Sequence, residues 1–417
     1  MPLQGTFQPP GDKSISHRIV LFSLLAQGRT RVENLALGQD VRTSLRIVEA
    51  LGGFVGQEKG RIVIQGPGDR MPEQTRLGCG NSGTTIRLLM GLLAGRPGEY
   101  VLDGDESLRR RPMERIAQPL RSMGARIDCR EGGCPVRVQG GPLDGITYDL
   151  PIPSAQLKSA VLLAGLRAKG RTQVREPAPS RDHTERMIKA LGGRIDVTGG
   201  GVIRVEPSAL TLPPQSVIPG DISSAAFFLC AAAIIPSSRV TAQGVLLNPT
   251  RIGFLNVLRR MGADLKIEPR GETPEPWGDI TVRHKEVLCG CRITPEEIPG
   301  LIDEVPILAL VATQARGRTV FEDIRELRHK ESDRVSALLE QLGSMGAELK
   351  VSGNRLTVNG PTRLVSPPNP DSLGDHRMAM TLRLALLLAD GDGPIRGEDC
   401  AGVSYPGFRN DLARLLR

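Results

Sequence analysis

Six times along this 417-residue chain, a Ser, Asn or Asp opens an apolar, Leu/Ala-rich stretch of helical length. The copies begin near Ser14 (SISHRIVLFSLLA), Asn81 (NSGTTIRLLMGLLAG), Ser154 (SAQLKSAVLLAGLRA), Asp221 (DISSAAFFLCAAAII), Asp303 (DEVPILALVATQA) and Asp375 (DHRMAMTLRLALLLA), in steps of 67, 73, 67, 82 and 72 residues. Spacing this regular marks an internal repeat, and it constrains the fold more than any single motif. The opening residues are the usual helix N-caps. Because the stretches are apolar on nearly every face, each helix is expected to be buried.

Between these copies runs a second unit, an amphipathic segment closed by small residues. The stops are Leu51-Gly52-Gly53, Met123-Gly124-Ala125, Leu191-Gly192-Gly193, Met261-Gly262-Ala263 and Met345-Gly346-Ala347. A glycine there fits a C-terminal cap in the left-handed region. Short alternating runs follow, such as 194–197 (RIDV) and 348–351 (ELKV), which read as hairpin strands. Each repeat therefore reads strand, helix, strand, helix, strand, strand. Six copies are too many for one small core, so two domains of three repeats are expected. The Pro/Gly-dense stretch 213–221 (PPQSVIPGD) marks one crossing, and Pro9-Pro10-Gly11-Asp12 the other. The expected division is residues 1–12 with 220–417 as one discontinuous domain, and 13–219 as the second.

Composition narrows the function classes. The formal charge is +8, with no basic run longer than Arg109-Arg110-Arg111, and only 3% of residues are aromatic. That is poor equipment for nucleic acid, whose binding draws on basic patches and stacking rings. The longest apolar run, Ala225 to Ile235, is too short to span a bilayer. The first residues, MPLQGTFQPPGDKS, carry no apolar core of a secretion signal. A cytoplasmic protein is expected, with its seven cysteines reduced and structural.

Polar side chains collect at the expected helix starts: Lys13, Ser14 and Arg18; Asn81, Ser82, Gly83 and Arg87; Ser154 and Gln156; Asp303 and Glu304; Asp375, His376 and Arg377. Arg111, Arg181 and the run Lys330-Glu331-Ser332-Asp333-Arg334 join them from the second helix type. Helix N-termini favour anions, and Arg forks bind phosphate and carboxylate. Gly11-Asp12-Lys13-Ser14 is not a phosphate loop, since Asp12 separates Gly from Lys and two prolines stiffen the approach. The five His show no HxxxH spacing and no GxSxG elbow occurs. The residue set suits proton-assisted group transfer between small anions with no cofactor.

These same segments resemble the EPSP synthase (3-phosphoshikimate 1-carboxyvinyltransferase) family over nearly the whole chain. The matching motifs are GDKSISHR at 11–18, GNSGTTIR at 80–87, RPMER at 111–115, SAQLK at 154–158, RDHTER at 181–186, NPTR at 248–251, LIDE at 301–304, KESDR at 330–334 and GDHRMAM at 374–380. The resemblance implies the α/β, two-domain enolpyruvyl transferase fold of six βαβαββ repeats, three per domain, with the active site in the interdomain cleft. It implies transfer of the enolpyruvyl group from phosphoenolpyruvate to the 5-hydroxyl of shikimate 3-phosphate, without metal or organic cofactor. A monomer is expected, with small-molecule substrates and no nucleic acid or membrane partner.

Carried onto this sequence, the resemblance implies that shikimate 3-phosphate is held by Lys13, Ser14, Arg18, Ser154, Ala155, Gln156, Arg181, Asp303 and Lys330. Phosphoenolpyruvate is held by Lys13, Gly83, Arg111, Gln156, Arg334 and Arg377. Asp303 is the expected base and Glu331 the proton donor, with Lys13 competing for a proton-transfer role. The arginine of the second region is open among Arg109, Arg110 and Arg111, because Ser107 stands where many relatives have Arg; Arg111, inside RPM, is preferred. The Lys and Asn that some relatives carry have no match at 404–408 or 324–326. GDKSISHR, RPMER, SAQLK and NPTR together are similar to the glyphosate-tolerant subgroup. The related transferase acting on UDP-N-acetylglucosamine fits less well, since Lys13 is followed by Ser14 rather than Asn and Cys129 and Cys134 read as hairpin residues. A basic nucleic-acid-binding repeat scaffold is the remaining alternative.

Overall fold

The computed structural model describes residues 1–68, 70–389 and 391–416. It divides into two compact units, one of residues 11–218 and one of residues 1–10 with 219–417.

Within the 11–218 unit, one arrangement recurs in three four-stranded sheets. In the clearest, Gln74–Gly78 pairs in parallel with Gly98–Asp103, which pairs antiparallel with Gly133–Gly140, itself closed by Arg126–Arg130. Parallel neighbours need a crossover, and the helix Gly83–Ala94 supplies it. The sheet of Thr147–Asp149, Thr172–Arg175, Val202–Val205 and Ile195–Thr198 repeats the order around the helix Ala155–Gly165. The first sheet departs from the expected chain order. Its leading strand is Gln215–Val217, from the far end of the unit, paired in parallel with Arg29–Glu33.

The other unit has the complementary departure. Its first sheet is led by Gln4–Phe7, paired in parallel with Arg239–Leu246 and continued by Trp277–Arg283 and Asp264–Gly271. The strand before the first buried helix thus belongs to the other unit's sheet, and the strand before the fourth belongs to the first unit's sheet. The fifth repeat is complete: Arg292–Ile293, Gly317–Phe321, Arg355–Gly360, Glu348–Ser352. The sixth is abbreviated: an isolated parallel bridge, Asp371 to Arg396, flanks the helix His376–Leu388, and the helix Phe408–Leu415 follows without a hairpin among the described residues.

The six apolar helices are the cores. All thirteen residues of Ile222–Ile234 are buried. Gly83–Ala94 and Ala155–Gly165 approach so closely that a Cβ at Gly91 would lie 2.2 Å from Ala160 O, so only glycine fits. The helix starts differ slightly from the sequence expectation: Asp12 caps Lys13–Phe22, Ser82 caps Gly83–Ala94, and Glu304 precedes Val305–Gln314 without a side-chain cap bond. Ser154, Asp221 and Asp375 cap as expected. The five glycine stops all have positive φ: Gly52 +84°, Gly124 +107°, Gly192 +86°, Gly262 +92° and Gly346 +89°. Among the described residues, no helix is long and apolar enough to cross a membrane.

Candidate active site

In the 11–218 unit, side chains tie the three buried helices together at their N-terminal ends. His17 Nδ1 lies 2.9 Å from Ser44 Oγ, which lies 2.9 Å from Thr85 Oγ1. Gln156 donates from Nε2 to Thr84 Oγ1 at 3.0 Å and accepts through Oε1 from Arg87 Nη1. Arg18 donates to Ser14 O at 3.0 Å, to Ser159 Oγ at 3.1 Å and, through Nε, to Thr184 Oγ1 at 2.8 Å. Three helix N-termini therefore share one end of the unit, where their partial positive charges add and attract anions.

Of the residues expected to hold substrate, this end gathers Lys13, Ser14, Arg18, Gly83, Arg111, Ser154, Ala155 and Gln156. Lys13 Nζ is held 2.9 Å from Asp40 Oδ2, a partner 27 residues on that local sequence does not reveal. Arg181 lies half-buried in the loop before the helix His183–Ala190. The three adjacent arginines separate clearly. Arg109 is exposed and paired with Asp103 at 2.7 Å, and Arg110 is exposed and paired with Glu106. Arg111 instead donates to Asn81 Oδ1 at 2.9 Å and stands over Gly83, whose Cβ position would be 3.1 Å from Arg111 Nη1. Arg87 closes on the same glycine at 3.3 Å. The sequence marked Arg87 as a helix-start residue but left it out of the expected contact set; in the structure it bonds to Gln156, a member of that set.

In the other unit, Arg334 is the centre of a second cluster. Its guanidinium is 1% exposed and reaches Asp375 Oδ2 at 2.8 Å, Glu331 Oε2 at 2.8 Å and Asp303 Oδ1 at 3.3 Å. Lys330 Nζ donates to Asp303 Oδ1 at 3.2 Å. Arg377 stands 3.9 Å from Asp303 and 3.8 Å from Glu304. Burial works against the charged form of Arg334, but Asp375, Glu331 and Asp303 outweigh it and raise its pKa. Burial likewise pushes the Asp375 carboxyl up, and Arg334 overrides this to hold it below the ordinary range. Asp303, Lys330, Glu331, Arg334 and Arg377 thus form one network, with Asp375 as the buried anchor that sequence reading treated only as a cap.

Two carboxylates held on fixed cations can accept and donate protons while the cations meet anionic substrate. The cysteines offer no competing nucleophile in the hairpin. Burial pushes the Cys129 thiol up to about 12 and the Cys134 thiol up to about 11, so neither is a thiolate at neutral pH.

The comparisons with known proteins agree along the whole length. The family model EPSP synthase (3-phosphoshikimate 1-carboxyvinyltransferase) matches residues 1–412. A 3-phosphoshikimate 1-carboxyvinyltransferase of Synechococcus sp. (strain JA-3-3Ab) is 48% identical, over 99% of this chain and 95% of the relative. That of Geobacillus kaustophilus (strain HTA426) is 46% identical, over 99% and 98%. Among solved structures, EPSP synthase from Acinetobacter baumannii superposes with a TM-score of 0.85 at 38% identity, over 99% and 96%. The enolpyruvyl transferase NikO from Streptomyces tendae, at 18% identity and a TM-score of 0.81 over 99% and 95%, shares the fold. With its repeats, its motifs and its full-length relatives in agreement, the chain belongs to the EPSP synthase family.

Proposed function

We infer that the chain transfers the carboxyvinyl group of phosphoenolpyruvate to the 5-hydroxyl of shikimate 3-phosphate, by addition and then elimination, with release of phosphate. The observation that carries the residue roles is that one buried guanidinium, Arg334, grips both Asp303 and Glu331. In this reading Asp303 takes the hydroxyl proton as its oxygen bonds to C2 of phosphoenolpyruvate, and Glu331 delivers a proton to C3. The adduct then loses a proton from C3, that bond's electron pair forms the C2=C3 double bond, and the C2–O bond to the phosphate group breaks, its electron pair and oxygen leaving with phosphate. Lys13 touches both substrates and is the second candidate for proton transfer.

Ser14, Arg18, Ser154, Ala155, Gln156, Arg181 and Lys330 hold shikimate 3-phosphate. Gly83, Arg111, Gln156, Arg334 and Arg377 hold phosphoenolpyruvate, with Arg87 beside them. Arg111 is favoured over Arg109 and Arg110 because those two are spent on Asp103 and Glu106. Fixed cations stabilise the departing phosphate without reorganising at the moment of reaction.

Incubating the purified chain with shikimate 3-phosphate and phosphoenolpyruvate, and separately with UDP-N-acetylglucosamine and phosphoenolpyruvate, tests the reading. Phosphate release only with the first acceptor is expected. Full activity in both Asp303→Asn and Glu331→Gln would overturn the roles given to them. The reading also has a cytoplasmic monomer working without metal or organic cofactor; activity lost to a chelator and restored by a divalent ion would overturn the last point. Subgroup similarity adds an expectation of glyphosate tolerance, which a steep loss of activity at low micromolar glyphosate would contradict.

A further inference from the structure

Behind the helix start that carries Ser154 and Gln156, the 11–218 unit buries a charge cluster with no part in the steps above. Lys158 is 1% exposed, and its Nζ lies 2.6 Å from Glu176 Oε1 and 2.7 Å from Glu185 Oε1, with Ser180 O at 3.5 Å. An ammonium has three donors, and these three partners account for them. Glu176 Oε2 accepts from Ser180 N at 3.0 Å and from Ser180 Oγ. The second Glu185 oxygen is buried without a partner, and burial pushes that carboxyl up against the pull of Lys158.

The cluster joins three segments, two that carry proposed shikimate 3-phosphate contacts and a third that touches one. Lys158 itself lies at the first turn of Ala155–Gly165, next to Ser154, Ala155 and Gln156. Glu176 and Ser180 fasten the loop in which Arg181 follows directly. Glu185 adjoins Thr184, which accepts from Arg18 Nε at 2.8 Å. Burying one ammonium with two carboxylates is a poor way to stabilise a core, because apolar residues of the same volume often do as well or better. Its distinguishing property is direction: it fixes the distance of the loop and the second helix from the first.

We propose that Lys158 is a positioning residue for shikimate 3-phosphate, acting through Glu176 and Glu185 on Arg181 and Arg18 without touching the substrate. The proposal rests on the reading of those residues as the shikimate 3-phosphate site. Misplacing a binding group by about 1 Å can cost on the order of 100-fold, so a residue two contacts away can be felt in KM.

The test is steady-state kinetics on the full chain with both substrates varied, for Lys158→Met, Arg181→Ala and the double variant, with thermal melts in parallel. Lys158→Met is expected to raise the KM for shikimate 3-phosphate about tenfold and to leave that for phosphoenolpyruvate within about twofold. In the Arg181→Ala background its effect on that KM should shrink but not vanish, since one branch runs through Arg181 and the other, by Glu185 and Thr184, through Arg18. An equal rise in both KM values, or effects that multiply fully, would overturn the proposal. An Arg181→Ala variant with unchanged KM for shikimate 3-phosphate would overturn the site assignment instead. If Lys158→Met does not fold, Glu185→Gln keeps the volume and removes one charge; the same split at smaller size supports the proposal, and no split overturns it.

Discussion

A Cβ atom added to Gly83 would lie 3.1 Å from Arg111 Nη1, closer than a side chain normally tolerates. The glycine is the first residue of the helix Gly83–Ala94 and its backbone is not in the left-handed region. Its absence of a side chain therefore serves the two guanidiniums above it, not the chain's conformation. Gly83→Ala is expected to displace Arg111 and Arg87 by a few tenths of an ångström and raise the KM for phosphoenolpyruvate about three- to tenfold. The KM for shikimate 3-phosphate should stay put. Thermal stability should hold or rise, because alanine is favoured over glycine in a helix by up to about 1 kcal/mol. Kinetics with both substrates and one melt decide it: an unmoved phosphoenolpyruvate KM would argue against Arg111 as its ligand.

Asp303 and Glu331 share one guanidinium, so their substitutions should be read together. Asp303→Asn and Glu331→Gln keep shape and remove proton-transfer capacity. Each is expected to lower kcat by about 10²- to 10⁴-fold, the usual range for a positioned acid or base, with KM changed far less. The double variant should lose less than the product of the single losses, as groups that act as a unit do. Phosphate release under saturating substrates measures all three; a pure KM effect from either single variant would remove it from the chemical step.

The periodicity exposed the repeat because glycine and apolar runs report local backbone and burial directly. Gly52, Gly124, Gly192, Gly262 and Gly346 are legible as stops since only a left-handed residue closes those helices. What sequence hid are relationships made by the fold. The sequence puts Gln4–Phe7 in the domain of residues 220–417, but nothing in that strand names Arg239–Leu246, more than 200 residues away, as its parallel partner. Arg111 is set apart from Arg109 and Arg110 in the sequence only by its place in RPM, and the physical difference emerges once Asp103, Glu106 and Asn81 are placed around them. Asp375 read as a cap, which it is, while its second task of holding Arg334 needed the helix Arg334–Ser344 packed beside it.

That second task makes a prediction about acid stability. Arg334 and Asp375 are 1% and 0% exposed and 2.8 Å apart. Removing the guanidinium strands a buried carboxylate, so Arg334→Ala is expected to cost about 3–5 kcal/mol. The pH dependence should also reverse. In the native chain the Asp375 pKa is lowered, so its contribution is present above the unfolded value of about 3.9 and is lost as pH falls through the lower folded value. In Arg334→Ala the strongest opposition to burial is gone and only the Arg377 N–H, the Ser332 hydroxyl and His376 still favour the carboxylate, so that pKa should rise and the variant should gain stability as pH drops from neutral toward 5. Urea unfolding at several pH values measures both slopes; parallel curves would mean that Arg334 does not control Asp375.

His17 gives a prediction of opposite character in the other unit. It is fully buried, with Nδ1 on Ser44 and Nε2 without a partner. Burial lowers its pKa from 6.5 to about 3; Lys13 and Arg18 push the same way, against Asp40 and Asp12. Between those two values the unfolded chain takes up a proton that the folded chain refuses. Stability should therefore fall as pH drops through that window, by up to about 1.4 kcal/mol per pH unit, and be insensitive to this residue above it. His17→Gln can retain a hydrogen bond to Ser44 and removes the titration. Its unfolding free energy should be somewhat lower than wild type at pH 7 and converge with it toward pH 4. Because the ring stays neutral throughout the range in which the enzyme is assayed, the variant's kcat against pH should keep the wild-type shape. Denaturant titrations that run parallel from pH 7 to 4 would show that His17 does not set the acid limit, and a displaced kcat profile would assign it a protonic role in turnover.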